Sequence, residues 1–131
     1  MKISTKGRYA LSMMLYLARE YDTNRFISLN EISKQENISL KYLEKIILNL
    51  KKAEFFITLK GKDGGYKLKR KPSEYSIGEI IRAAEGNLEV ISCVGDNKCP
   101  RKTKCKTYPL WKGLNDEIND YLDSKLLSDY I

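Results

Sequence analysis

Residues 28–71 read SLNEISKQENISLKYLEKIILNLKKAEFFITLKGKDGGYKLKRK, and this stretch decides the fold. Ser28 stands three residues before Glu31, the spacing of a capping box that satisfies two unpaired backbone donors at a helix start. The short helix LNEISKQE follows, breaks at Asn37-Ile38, and a second cap at Ser39 opens a longer helix. In that helix Leu40, Leu43, Ile46, Ile47 and Leu50 share one face, whereas Lys41, Tyr42, Lys45, Asn49 and Lys52 lie away from it. Phe56–Lys60 has strand composition, Gly61–Gly65 is a turn, and Tyr66–Arg70 alternates apolar with cationic residues. A short helix, a tight turn, a longer helix and a basic hairpin predict a winged helix-turn-helix. The helix-turn-helix spans about 28–52 and the wing about 56–71, with Lys60, Lys62, Lys67, Lys69 and Arg70 all placed on the hairpin.

Outward from this centre the chain stays mainly helical. Tyr9, Ala10, Met13, Met14, Leu17 and Ala18 recur at helical spacing after a cap at Ser4 or Thr5. Ser76-Ile77-Gly78-Glu79 is a second capping box, and its helix stops at Gly86. From Pro109 a final helix to about residue 127 carries Leu110, Trp111, Leu114, Ile118, Tyr121 and Leu122 at 3–4 spacing. A chain of 131 residues has little core left to bury so long a stripe, so pairing with the same helix of a second subunit is expected. Residues 1–73 then form the DNA-binding region, and residues 74–131 a connecting helix, a cysteine loop (93–106) and a dimerisation helix.

Composition narrows the function classes. With 42% hydrophobic and 31% charged residues the chain is a folded domain, and no apolar run approaches the ~20 residues that cross a bilayer. Its start lacks the pattern of a secretory signal, so a cytoplasmic address is expected. There are no histidines, which excludes Ser-His-Asp and Cys-His catalysis and any His-bearing zinc site within the chain. No nucleotide loop or nucleophile–base pair is visible, and an enzyme is not expected. Residues 1–71 hold 16 Lys and Arg against 7 Asp and Glu, a net +9, whereas residues 72–131 carry −2. The excess of cations coincides with the winged helix, which points to a phosphate backbone as partner.

A helix fits the major groove, and its first residues lie closest to the base edges. The candidate DNA contacts are therefore Ser39, Leu40, Lys41, Tyr42, Glu44 and Lys45, with Ser28 at the preceding helix, Lys6 and Arg8 on the first helix, and Lys60, Gly61 and Lys62 on the wing. Ser39 and Tyr42 offer hydrogen bonds, Lys41 and Lys45 reach phosphate or guanine, and Glu44 either accepts from cytosine or pairs with Lys41 or Lys45. Lys60 is placed for the minor groove or the flanking backbone.

Cys93, Cys99 and Cys105 follow C-x5-C-x5-C, with Lys98, Arg101, Lys102, Lys104 and Lys106 around them. Thiolates suit iron–sulfur clusters and zinc, and neighbouring cations stabilise the anionic form. An iron–sulfur site is the leading reading, with a thiol redox switch and a structural role as alternatives. A fourth ligand would have to come from Asp96, Tyr108, an acidic residue of a second subunit or a small thiol.

Taken together, STKGRYAL at 4–11, ISLKYLEKI, KGKDGGYKL, SIGEIIRAAEG and the triple-cysteine loop leading into YPLWKGLNDEINDYL resemble the winged-helix bacterial regulators that include IscR, NsrR and CymR. The resemblance implies homodimers that read palindromic operators in double-stranded DNA and are built on the C-terminal helix. It also implies that Cys93, Cys99 and Cys105 hold a [2Fe–2S] or [4Fe–4S] cluster, with [2Fe–2S] favoured, whose presence changes DNA binding. Regulation of cluster assembly or a related stress response is the expected role, with a regulator that uses the cysteines as a cluster-free thiol or zinc switch, or CymR-like control of cysteine metabolism, as the alternatives. Tyr108 stands where IscR-like members carry histidine, Arg8 where NsrR-like members carry aspartate, and Lys60 where arginine is frequent on the wing.

Overall fold

A computed structural model describes residues 3–91, 94 and 103–131. Among the described residues, five α-helices and one two-stranded sheet follow in the order α1 (Thr5–Arg19), α2 (Leu29–Glu36), α3 (Leu40–Lys52), β1 (Phe56–Leu59), β2 (Gly65–Leu68), α4 (Ile77–Glu85) and α5 (Tyr108–Ser124). Short 3₁₀ turns lie at Tyr21–Thr23, Pro72–Glu74 and Leu127–Tyr130. The mainly helical winged helix-turn-helix read from the sequence is the fold observed.

The helix starts follow their caps. Ser4, Ser28, Ser39 and Ser76 each accept a hydrogen bond from the backbone N–H three residues on. At Ser76 the box is complete, because the Glu79 carboxylate also accepts from the Ser76 N–H. At Ser28 only half of it forms, since the Glu31 carboxylate turns away to Arg25 and Tyr16. Asn37 ends α2 in the left-handed region at φ 55°, a conformation asparagine tolerates, and so makes the tight turn into α3.

The core is where the helical stripes meet. Ala10, Met13, Met14 and Leu17 of α1 pack with Ile32 of α2, Leu43, Ile46 and Leu50 of α3, and Ile80 and Ile81 of α4. Each of these large side chains is essentially removed from water, worth about 1.5–3 kcal/mol apiece. Asn49, read as outward, instead donates to the Ala84 carbonyl at 3.4 Å and ties α3 to α4.

The strands pair antiparallel with Phe56 opposite Leu68 and Leu59 opposite Gly65. Ile27, just before α2, adds a bridge to Tyr66 through reciprocal backbone bonds of 2.9 and 2.8 Å. Gly65 sits at φ 154° against the Ile27 carbonyl, where a Cβ would overlap backbone atoms, so this close approach requires glycine. The final helix ends at Ser124, short of the expected 127. The chain there becomes extended so that Leu126 can bridge Ser76 and Leu127 can bury completely.

Candidate nucleic-acid interface and cysteine segment

Helix α3 presents its first two turns to solvent. Ser39 spends an acceptor position on the Tyr42 N–H at 3.3 Å. Lys41, Glu44 and Lys45 are exposed, while Leu40 is half-buried. Tyr42 is half-buried too, its ring edge-on to Tyr9 of α1 at 5.4 Å between centroids, which fixes α3 against α1. Leu48 was not singled out from the sequence, yet it is 61% exposed one turn beyond Glu44 and Lys45. Its absence from the 40/43/46/47/50 stripe is the signal that places it on the outer face.

At the N-terminus of α1, the Glu85 carboxylate accepts from the backbone N–H of Ser4 at 2.6 Å and of Gly7 at 3.2 Å, and also from the Ser4 hydroxyl. The positive end of this helix is thus neutralised from within the chain. Among the described residues there, the side chains of Lys6, half-buried, and Arg8, exposed and bonded to Thr5 Oγ1 at 3.2 Å, remain to meet an anion. Ser28 is occupied as the cap of α2, accepting from Glu31 N–H at 3.1 Å.

The five cations placed on the wing divide into two groups. Lys60, Gly61 and Lys62 are exposed at its tip and Lys69 near its base. Lys67 instead binds Asn24 Oδ1 at 2.8 Å and lies 4.8 Å from the centre of the Phe26 ring. Arg70 pairs with Glu79 at 2.7 Å, donates to the Glu74 carbonyl at 2.9 Å and stacks 4.2 Å above Tyr75. Those two cations anchor the hairpin.

Of the cysteines, Cys93 and Cys99 lie outside the described residues. Cys105 is half-buried, with Sγ 3.3 Å from Thr107 Oγ1, three residues before α5 begins. Among the described residues no three His, Cys, Asp or Glu side chains converge as a metal site. The chain leading to Cys93 is fastened to α5: Val90 N–H donates to Asn115 Oδ1 at 3.0 Å, and Asn119 Nδ2 donates to the Leu88 carbonyl at 3.2 Å. Arg82 of α4 adds bonds to Asn119 at 3.1 Å and to Asp123. The chain entering the cysteine segment is therefore held on α5, and the chain leaving it at Cys105 runs straight into the same helix.

That helix is poorly covered. Leu110, Leu114 and Tyr121 are 62%, 40% and 60% exposed, Trp111 and Ile118 are half-buried, and only Leu122 packs against the core. Beside Tyr121 an apolar groove lined by Leu11, Leu15, Ile77, Leu122 and Tyr130 continues this face onto α1.

A helix-turn-helix with a basic wing and an outward cationic helix defines a winged-helix transcriptional regulator rather than an enzyme. Residues 3–131 match the Rrf2 family model, described as an iron-dependent transcriptional regulator, and the chain belongs to that family. It is 36% identical over 129 residues to the HTH-type transcriptional regulator IscR of Aliivibrio salmonicida, covering 98% of this chain and 76% of that one. The structure of CymR, the global cysteine regulator of B. subtilis, superposes with a TM-score of 0.81 at 34% identity, covering 99% of this chain and 95% of the other. T. potens IscR superposes at 0.78 with 32% identity over 99% and 85%. Among the described residues no helix is long and apolar enough to cross a membrane.

Proposed function

We propose that this chain is a cytoplasmic, homodimeric regulator whose affinity for a palindromic operator is set by an iron–sulfur cluster on Cys93, Cys99 and Cys105. One observation carries the reading: the chain entering the cysteine segment is hydrogen-bonded to α5, and the chain leaving it runs directly into α5, the helix whose apolar face lies open. The donor chemistry fits, with three thiolates in a lysine- and arginine-rich segment. Such a cluster supplies an iron centre sensitive to oxidants and to iron supply. The family match and the likeness to IscR support the cofactor, with [2Fe–2S] the preferred form.

Residues 1–73 act as the DNA-binding region and residues 74–131 as the sensing and pairing region. Lys41, Glu44 and Lys45 approach base edges with Ser39, Leu40 and Tyr42 alongside, while Leu48 offers an apolar contact for a thymine methyl. Lys6, Arg8, Lys60 and Lys62 bind phosphate, with Gly61 and Ser28 near the backbone. Pairing occurs through Leu110, Trp111, Leu114, Ile118, Tyr121 and Leu122. Asn115 and Asn119 pass the position of the cysteine segment to this interface, which shifts the spacing of the two α3 helices against half-sites about 34 Å apart.

The likeness to CymR favours a second reading, in which the same fold regulates cysteine metabolism and the cysteines act as thiols. Iron and sulfide analysis with Mössbauer or EPR spectra of protein purified without oxygen separates the two. Stoichiometric iron and sulfide with cluster signals support the first, and iron-free protein with three titratable thiols overturns it.

A further inference from the structure

Tyr75 is fully buried outside every group of candidate DNA contacts, yet it touches three elements at once. Its hydroxyl donates to the Phe55 carbonyl at 2.8 Å and accepts from the Arg70 N–H at 3.0 Å. Phe55 immediately precedes β1 and Arg70 follows β2 by two residues, so one oxygen clasps both legs of the wing. On its backbone side, the Tyr75 carbonyl accepts from the Leu127 N–H at 2.9 Å, and Ile77 N–H donates to the Lys125 carbonyl at 2.8 Å. Leu127, fully buried, and Lys125 belong to the tail that leaves α5.

A hairpin of four-residue strands is too small to hold its own direction, so the contacts at its base set it. Among them, the Ile27–Tyr66 bridge holds the α2 side, the Lys67 and Arg70 side chains grip Asn24 and Glu79, and the Tyr75 hydroxyl takes hold of both legs from the tail side.

We propose that Tyr75 is a positioning residue that transmits the placement of the α5 tail to the wing, and so sets how Lys60 and Lys62 meet the duplex. This rests on the proposed DNA-binding reading of the wing. Tyr75→Phe keeps the ring and removes the clasp.

The test is a double-mutant cycle on operator binding, with Lys41→Ala on α3 as the control. In the parent protein Lys60→Ala should weaken binding about threefold or more, and in the Tyr75→Phe background by less than about 1.5-fold, while the Lys41→Ala penalty is the same in both. Equal Lys60→Ala penalties in the two backgrounds overturn the role of Tyr75 and leave the wing contact standing. No penalty in the parent overturns the wing contact and the transmission with it. Asp129→Ala provides a variant with the core untouched, since the exposed Asp129 carboxylate accepts from Leu126 N–H at 2.8 Å on the surface of the tail. In it, exchange of the Arg70 amide should accelerate about fivefold or more while the Ile46 amide is unmoved; an unchanged Arg70 amide contradicts the coupling.

Discussion

Arg25 and Glu31 face each other across the entry to α2 in a two-pronged pair, with guanidinium nitrogens 2.8 and 2.7 Å from the two carboxylate oxygens. Tyr16 of α1 donates to the same carboxylate at 2.5 Å. A loop, the first helix and the helix-turn-helix are thus pinned at one acid. The Arg25 bonds, with help from Tyr16 and against partial burial, hold the Glu31 carboxyl down to about 2.

The folded form therefore binds the Glu31 proton more weakly than the unfolded chain does. Its stabilisation is fully present above the ordinary carboxylate value near 4.5 and disappears as pH falls from there to about 2. Arg25→Gln should cost about 0.5–1 kcal/mol at pH 7, the partial exposure of the pair screening the rest. The difference from the parent should vanish near pH 2, as followed by urea unfolding across that range. A difference that persists undiminished at pH 2 contradicts the assignment.

Gly7 and Glu85 make a second long-range pair. An added Cβ on Gly7 would come within 2.6 Å of Glu85 Oε1, so Gly7→Ala must push the carboxylate off the α1 amides. The expected loss is about 1 kcal/mol. In a Glu85→Ala background the same substitution should instead gain about 0.5 kcal/mol, because alanine outranks glycine in a helix. Additive effects in thermal unfolding would show that the two residues do not compete.

On DNA, the division of the wing cations has a measurable signature. Lys41→Ala and Lys60→Ala should each lower the slope of log K against log salt by about one. Lys67→Ala should leave that slope unchanged, since its ammonium is held by Asn24 and Phe26. Equal slopes for the parent and both exposed-lysine variants would remove those residues from the phosphate contacts.

The open face of α5 predicts a dimer that charge can break. Leu114→Asp and Ile118→Asp should each sediment as monomers at concentrations where the parent is a dimer, because an unpaired carboxylate would be buried at the interface. Dimers in both variants would place the contact elsewhere.

Features set by neighbouring residues were legible in the sequence. The face of α3 from Leu43 to Leu50, the full box at Ser76 and the hairpin turn all follow from local spacing and capping. What escaped depends on residues distant in the chain. Glu31 abandons Ser28 because Arg25 and Tyr16 outbid its backbone bond. Lys67 and Arg70 turn inward to Asn24 and Glu79, and α5 stops early so that Leu127 can reach Tyr75. No periodicity encodes those partners. Cation counts therefore overstate the surface that DNA meets, and an apolar stripe gives a helix's face more reliably than its end.

The central claim is that the state of Cys93, Cys99 and Cys105 sets DNA affinity. It is tested most directly by titrating one operator with oxygen-free protein before and after cluster removal, alongside the variant with all three cysteines replaced by alanine. The expected result is a change in affinity of about tenfold on cluster removal, of the size of a coupling near 1.4 kcal/mol, with the alanine variant fixed at the cluster-free value. Identical affinities for all three preparations would contradict it.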